Sequence, residues 1–236
     1  MNRIEVRKVL QESFLGAFPE SALRKLEDGA RVTTLSARQL LYDPEISIIG
    51  EGTVWAYVDD GYGRHLAVSY MRRPRAVGIA LAAGNGFPIA FQAVVDTTII
   101  RITRAQFDEI RKDHCEVGWV AAQELAHYLD DLLAEIVRVA FRPVRARIAH
   151  HLLALTDCEH QAVHQAELAA AVGSVREVVA RNLGPLREAC LVEVSQAGVA
   201  ATDEEGLREV AESRGRGSCD MSPPKVTDRR TSEVQS

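Results

Sequence analysis

Residues 165–191, QAELAAAVGSVREVVARNLGPLREACL, leave this chain the least structural freedom, because two apolar helical patterns meet there at a glycine. In the first, Leu168, Ala169 and Val172 fall at i, i+1 and i+4, on one side of a short helix. Gly173 follows, where a left-handed residue ends a helix at no steric cost. Ser174 is expected to cap the second helix, with Glu177 three residues later completing a capping box. In that helix Val175, Val179, Leu183 and Leu186 form an apolar stripe. Arg176, Glu177, Ala180, Arg181 and Gly184 are left on other faces. A tight two-helix unit whose second helix is polar and bears arginines has the layout of a helix-turn-helix DNA reader.

An ordinary helical hairpin with solvated arginines would show the same short pattern, so the flanking sequence matters. Residues 191–202, LVEVSQAGVAAT, read as two short strands around a Gln-Ala-Gly turn, the shape of a wing. Asp203 then caps a last short helix through Leu207 and Val210. The segment ELAAAVGSVREVVARNLGPLREACLV resembles the C-terminal half of the cyclic-AMP receptor protein (catabolite activator)/FNR family of bacterial transcription regulators. In that family the turn glycine is followed by an Arg-Glu pair, with an arginine four residues after the Glu. Gly173, Arg176, Glu177 and Arg181 match these positions. The resemblance implies that Arg176, Glu177 and Arg181 read base edges in the major groove of double-stranded DNA. The side-chain chemistry agrees: arginine is bidentate to guanine and glutamate accepts from cytosine N4. Ser174 is expected at a phosphate beside the helix N-terminus, with Arg145 and Arg147 as further backbone contacts.

The charge balance runs against this reading. The chain carries a formal net charge of −5, and 142–211 holds seven arginines against ten acids. The arginines cluster, however, while Asp203, Glu204, Glu205 and Glu209 belong to the terminal helix, and the local field outweighs the total.

Upstream, 5–28 suggest two short helices broken near Pro19. From Arg31 to Ile102 the texture changes to short β-rich runs: VTTL, SIIG, TVWAYV, RHLAVSY, AVGIAL and TTIIRI. Their spacing of about 8–12 residues suggests an antiparallel roll or barrel. Asp59-Asp60-Gly61 and Gly84-Asn85-Gly86 are its clearest turns. EGTVWAYVDDGYGRHLAVSYMRRPRAVG looks like the central hairpin of the family's cyclic-nucleotide-binding roll, with Gly52, Ser69 and Tyr70 placed as that comparison implies. The ligand cassette departs from the family pattern. Nucleotide-binding members hold the ribose with a Gly-Glu pair and the cyclic phosphate with Arg-Ser or Arg-Thr. Here Ile79 follows the glycine, and Phe87 and Pro88 stand where Arg and Ser should be. A buried phosphate needs a cation or a nest of donors. Cyclic AMP is therefore not the expected effector. An apolar ligand, a haem or no ligand remains open, and no cofactor is predicted.

Metal and redox signals are thin. The four cysteines (115, 158, 190 and 219) lack CxxC spacing and suggest reduced thiols. No cysteine precedes Cys115, which argues against the N-terminal iron–sulfur cluster of some family members. Cys158, His160 and His164 could offer three metal ligands, but they read as a polar linker before the first motif helix, and no metal site is expected. His65 and His114 are single histidines, more in keeping with structural or exposed roles.

From Val117 to Phe141 runs the longest helical pattern. Gly118, Ala122, Leu125, Leu129, Leu132, Ile136 and Val139 alternate spacings of four and three, an a/d seam. Trp119, Leu133 and Val137 form a second apolar flank suited to the roll. In the family this is the dimer helix, so a parallel homodimer is implied, with Ala122, Leu125, Leu129, Leu132, Ile136 and Val139 at the interface. Pro143 breaks the helix at a hinge. Beyond it, Val144, Ile148, Leu152 and Leu155 mark the first helix of the DNA-binding part. Gly184-Pro185 lies in the later turns of the recognition helix and suggests a kink rather than an end.

The expected organisation is α+β: a β-roll sensor over 1–113, a dimerisation helix over 114–141, and a winged helix-turn-helix over 142–212. A disordered tail fills 213–236. No apolar run approaches the roughly 18 residues of a membrane span, and MNRIEVRKVLQES lacks the core of a signal peptide. A cytoplasmic DNA-binding regulator follows, with RNA polymerase a further candidate partner. No nucleophile–base set or phosphate loop suggests an enzyme. The competing reading is a ligand-sensing roll whose C-terminal helices bind a protein instead of DNA.

Overall fold

The structure, a computed structural model, describes residues 3–41, 45–59, 65–80, 89–156 and 162–213. Helices α1 (Arg3–Glu12) and α2 (Glu20–Gly29) flank a 3-10 turn over Phe14–Ala17. Pro19 precedes α2 with φ −54°, already close to helical, so it starts that helix. Among the described residues eight strands follow: β1 (Arg31–Leu35), β2 (Leu40–Leu41), β3 (Ile46–Glu51), β4 (Thr53–Asp59), β5 (His65–Arg72), β6 (Ala76–Val77), β7 (Ile89–Ala93) and β8 (Thr97–Ile102). They form two antiparallel four-stranded sheets, ordered β1-β8-β3-β6 and β2-β7-β4-β5. The roll expected from the sequence is therefore present, with β2 and β7 as additional strands. Asp60, Gly61 and 84–86 of the expected turns lie outside the described residues.

The first sheet is covered on both faces. Ile46, Ile48, Ile100 and Ile102 pack with Leu10, Leu15 and Leu26 from the N-terminal helices. Ile49 and Ile99 point the other way, into the roll interior with Val54, Met71 and Phe91. Two buried faces explain why β3 and β8 read as continuous apolar runs rather than alternating ones. Gly52 turns β3 into β4 at φ +85°; a Cβ there would meet Thr97 Oγ1 at 2.5 Å.

Helix α3 (Arg104–Asp113) opens with a capping box: Thr103 Oγ1 accepts from Gln106 N–H, and Gln106 Oε1 accepts from Thr103 N–H. Helix α4 (Glu116–Phe141) is the long helix, and it is apolar on two faces. Val117 and Ala121 are buried, and Leu125, Tyr128 and Leu132 pack partly against the roll. The far face carries Trp119, Ala122, Ala126, Leu129, Leu133, Ile136 and Ala140, all exposed and spaced alternately by three and four. The seam read from the sequence divides between the two faces. Ala122, Leu129 and Ile136 do lie on the exposed stripe. Leu125 and Leu132 lean toward the roll, whereas Trp119, Leu133 and Val137, expected on the roll, are 69%, 50% and 53% exposed. Val139 is half-buried. A four-three repeat threads through two apolar faces in registers one residue apart, and only packing decides between them.

Arg142 takes an extended conformation before Pro143, which ends α4. The remaining helices are α5 (Val144–Thr156), α6 (Gln165–Ala171), α7 (Arg176–Glu188) and α8 (Glu204–Glu212). Strands β9 (Val192–Ser195) and β10 (Gly198–Ala201) pair between α7 and α8. This C-terminal unit has its own core of Ile148, Leu152, Leu168, Val179, Leu183 and Leu207, among others. Of the tail expected to be disordered, all but Ser213 lies outside the described residues.

Candidate nucleic-acid interface

The turn between α6 and α7 closes by backbone chemistry. Ser174 N–H donates to Ala169 O at 2.9 Å and Gly173 N–H donates to Ala170 O at 3.0 Å. This is the Schellman arrangement, and it requires the left-handed Gly173, at φ +60°. The expected cap moves by one residue as a result. Ser174 belongs to the end of α6, and the extended residue preceding α7 is Val175, whose side chain cannot cap. Val175 is 57% exposed, so it also leaves the apolar stripe that the spacing assigned to it. The first N–H groups of α7 thus receive no side-chain cap and face outward with the positive end of the helix dipole.

The buried side of α7 is formed by Val179, Leu183 and Leu186. Glu177 and Arg181 lie opposite, one turn apart and exposed, and Arg176 is exposed at the first turn. Gly184 continues the outward face with open space around it. It also lacks the Cβ that would crowd a following proline ring, and the helix runs through Pro185 to Glu188. Beside α7, the wing strands pair from Val192↔Ala201 to Ser195↔Gly198. Val163 exchanges two further backbone bonds with Val199, at 2.8 and 2.9 Å.

The two hinge arginines differ. Arg145 is exposed. Arg147 is turned inward: it donates to Val172 O at 2.6 Å, and its Nε is sealed from solvent. Burial pulls its pKa below the ordinary arginine value. Of the two arginines expected at DNA phosphates, Arg147 thus gives one N–H to the protein's own backbone. It braces the carbonyl that immediately precedes the turn glycine.

Several contacts that the sequence did not suggest hold this unit against the roll. Leu66 of β5 forms a backbone bridge to Val172, and Arg38 pairs with Glu167 at 3.0 Å. The Tyr70 hydroxyl bonds the buried His151 imidazole, and Arg72 donates to Ala154 O. Trp55 stacks nearby, 6.2 Å from both rings. The single hint in the sequence is His151 itself, a polar residue beside the apolar positions Ile148, Leu152 and Leu155, but its partner is 81 positions away.

Comparison with known proteins agrees with this geometry. A Crp-like helix-turn-helix domain matches residues 146–210. The chain is 30% identical to the transcriptional regulator SdrP of Thermus thermophilus over 177 residues, spanning 71% of this chain and 84% of that one. This chain belongs to the cyclic-AMP receptor/FNR family of transcription regulators. A CRP/FNR-family regulator of known structure, also from Thermus thermophilus, superposes with a TM-score of 0.64 at 26% identity, over 78% of this chain and 100% of that one. A Crp/Fnr-family chain from Eubacterium rectale shares the fold at TM-score 0.74 and 18% identity, over 84% of this chain and 97% of that one.

In this CRP/FNR regulator a cavity of about 270 Å³ lies between the roll and α4. Val68, Met71, Val77, Ile79, Phe91 and Leu132 line it, and among the described residues no arginine does. Ile79, expected from the sequence at the position of the family's ribose-binding acid, is buried in the core. Phe87 and Pro88 lie outside the described residues, as do Cys158 and His160 of the metal candidate. His164 stands at the start of α6, its N–H directed at Glu167. His114 bonds Ser21, and His65 lies edge-on to Tyr57. Among the described residues no helix is long and apolar enough to cross a membrane, and no cluster of ligands suits a metal.

Proposed function

We propose that the chain acts as a homodimer, reading a pseudo-palindromic DNA site with one α7 in each of two successive major grooves. The observation that carries this is the outward pair Glu177 and Arg181, backed by a buried Val179–Leu183–Leu186 spine. A rigid helix presenting a carboxylate and a guanidinium one turn apart suits G·C pairs, at about 1–3 kcal/mol of discrimination each. Arg176 extends the same edge. The uncapped start of α7, with the Ser174 hydroxyl beside it, favours a backbone phosphate. Arg145 is exposed on α5, two helices earlier, and fits a second phosphate.

The exposed α4 stripe supports the dimer. A surface row including Trp119, Leu129, Leu133 and Ile136 is costly in water and is covered by its own symmetry mate. We also propose the division 1–113 sensor, 114–141 dimer helix and 142–212 DNA-binding unit, which places its boundaries near the start of α4 and at Pro143. The apolar cavity and Ile79 support regulation without cyclic AMP, since a cyclic phosphate buried there would have no cation among the described lining residues.

A binding-site selection from random duplex at fixed salt tests the DNA reading. The expected result is two inverted half-sites about 34 Å apart. Enrichment of an asymmetric site, or none, overturns it. Calorimetry with cyclic AMP should show no saturable heat; binding at micromolar concentrations overturns the proposal on the effector.

A further inference from the structure

A second cavity, of about 380 Å³, lies where β5, α4, α5 and the end of α6 converge. Its walls carry four guanidinium groups: Arg72 and Arg75 from the roll, Arg138 from α4 and Arg147 from α5. Two carboxylates face them, Asp131 and Glu135. Each is already engaged, Asp131 by Arg75 at 2.6 Å and Glu135 by Arg138. Among the described residues Arg147 has only the Val172 carbonyl, and the Nε atoms of Arg75 and Arg147 are sealed from solvent without an acceptor.

The cations also act on one another. Burial lowers the pKa of Arg138, and the charge of Arg142 lowers it further. Burial and then Arg138 push His150, on the same wall, down to about 4. Desolvated donors without acceptors, in a field that repels further positive charge, are destabilising unless an anion joins them. Guanidinium forks match phosphate oxygens bidentately, and the Ser69 and Tyr70 hydroxyls stand on the same wall.

We infer that this cavity binds a small, multiply charged phosphate anion, held chiefly by Arg138 and Arg147. The site is distinct from the apolar cavity and does not depend on how α7 reads DNA. Because its walls come from the roll, the long helix and the DNA-binding unit, occupancy ties the three together. By linkage, any change it makes in DNA affinity is returned as an equal change in anion affinity.

The probe is inorganic diphosphate, titrated calorimetrically into the full chain at low salt without divalent metal. One saturable site per chain is expected. Arg138→Gln and Arg147→Gln should each weaken it by about tenfold, the scale of one charge-assisted contact. Arg111→Gln, exposed on α3 and outside the cavity, should leave it unchanged. Arg147→Gln also removes the brace on Val172, so its fold is checked by circular dichroism, and Arg138→Gln carries the test independently. As a second readout, bound anion should move the His150 imidazole titration upward from about 4 in proton NMR, with His150→Gln assigning the resonance. Absence of saturable binding overturns the proposal. So does binding that survives Arg138→Gln but is lost in Arg181→Gln, which would place the anion on the DNA-reading helix.

Discussion

The hydroxyl of Tyr70, on the roll, hydrogen-bonds the imidazole of His151, on the first helix of the DNA-binding unit, with ring centroids 5.3 Å apart. This contact joins the roll to the helix-turn-helix unit, and burial defines its chemistry. Desolvation, reinforced by neighbouring His150, holds the His151 pKa at about 3, so the folded protein keeps this imidazole neutral.

Acid should therefore loosen the protein through this junction. The unfolded chain takes up its His151 proton near pH 6.5, whereas the folded chain resists until about pH 3. Between those values the unfolded state binds more protons, so stability falls as pH drops below about 6.5. The expected slope is about 1 kcal/mol per pH unit from His151. His150 adds less because it is partly solvated. Urea unfolding between pH 7 and pH 5 measures this, and the double variant Tyr70→Phe, His151→Leu should flatten the slope. An unchanged slope in that variant assigns the acid sensitivity elsewhere.

On α4, where we propose that two copies meet, a charge on the exposed stripe should separate them while the roll stays folded. Ile136→Glu and Leu133→Glu should sediment as monomers with melting temperatures close to the parent fold. Leu132→Glu should instead lower the stability of the roll, because Leu132 packs against its interior cluster. If Ile136→Glu still sediments as the parental dimer, the exposed stripe is not the interface.

Arg181 and Arg147 should part company in a DNA assay. Arg181→Ala should flatten base preference at one position per half-site, by about 1–3 kcal/mol, with stability unchanged. Arg147→Ala leaves the Val172 carbonyl without its donor and should cost about 1–3 kcal/mol in unfolding without altering the base preference. Repeating the site selection and the denaturant melt with both variants decides it. A retained sequence preference in Arg181→Ala removes that residue from the reading edge.

The turn itself should tolerate no side chain. Gly173→Ala places a Cβ at φ +60° and 3.1 Å from Leu66 Cδ1. The left-handed backbone alone costs about 1–2 kcal/mol. Chemical denaturation should show a loss of at least that size, because the contact with Leu66 is strained as well. A neutral result would mean that the turn relaxes to another conformation.

Elements whose information is local were legible in the order of residues alone. Gly173 needs only its own backbone freedom to end α6, and Val179, Leu183 and Leu186 need only helical spacing to form the spine of α7. The wing and the Asp203 cap were readable for the same reason. The long helix and the breaking proline were equally plain, and the outward placement of Glu177 and Arg181 follows from the spine behind them. Whatever depended on a distant partner was settled by packing. A helix with two apolar faces accepts two seams, and only the folded chain shows that Leu125 and Leu132 contact the roll while the neighbouring stripe stays exposed. Ser174 looked like a cap until the closing bonds of α6 claimed its backbone and shifted the role to Val175. Arg147 read as a surface cation, and only the fold shows that it donates to the Val172 carbonyl. Tyr70 and His151 carry no mutual signal in sequence, because a hydrogen bond across 81 residues exists only once the chain has brought the roll and the reader together.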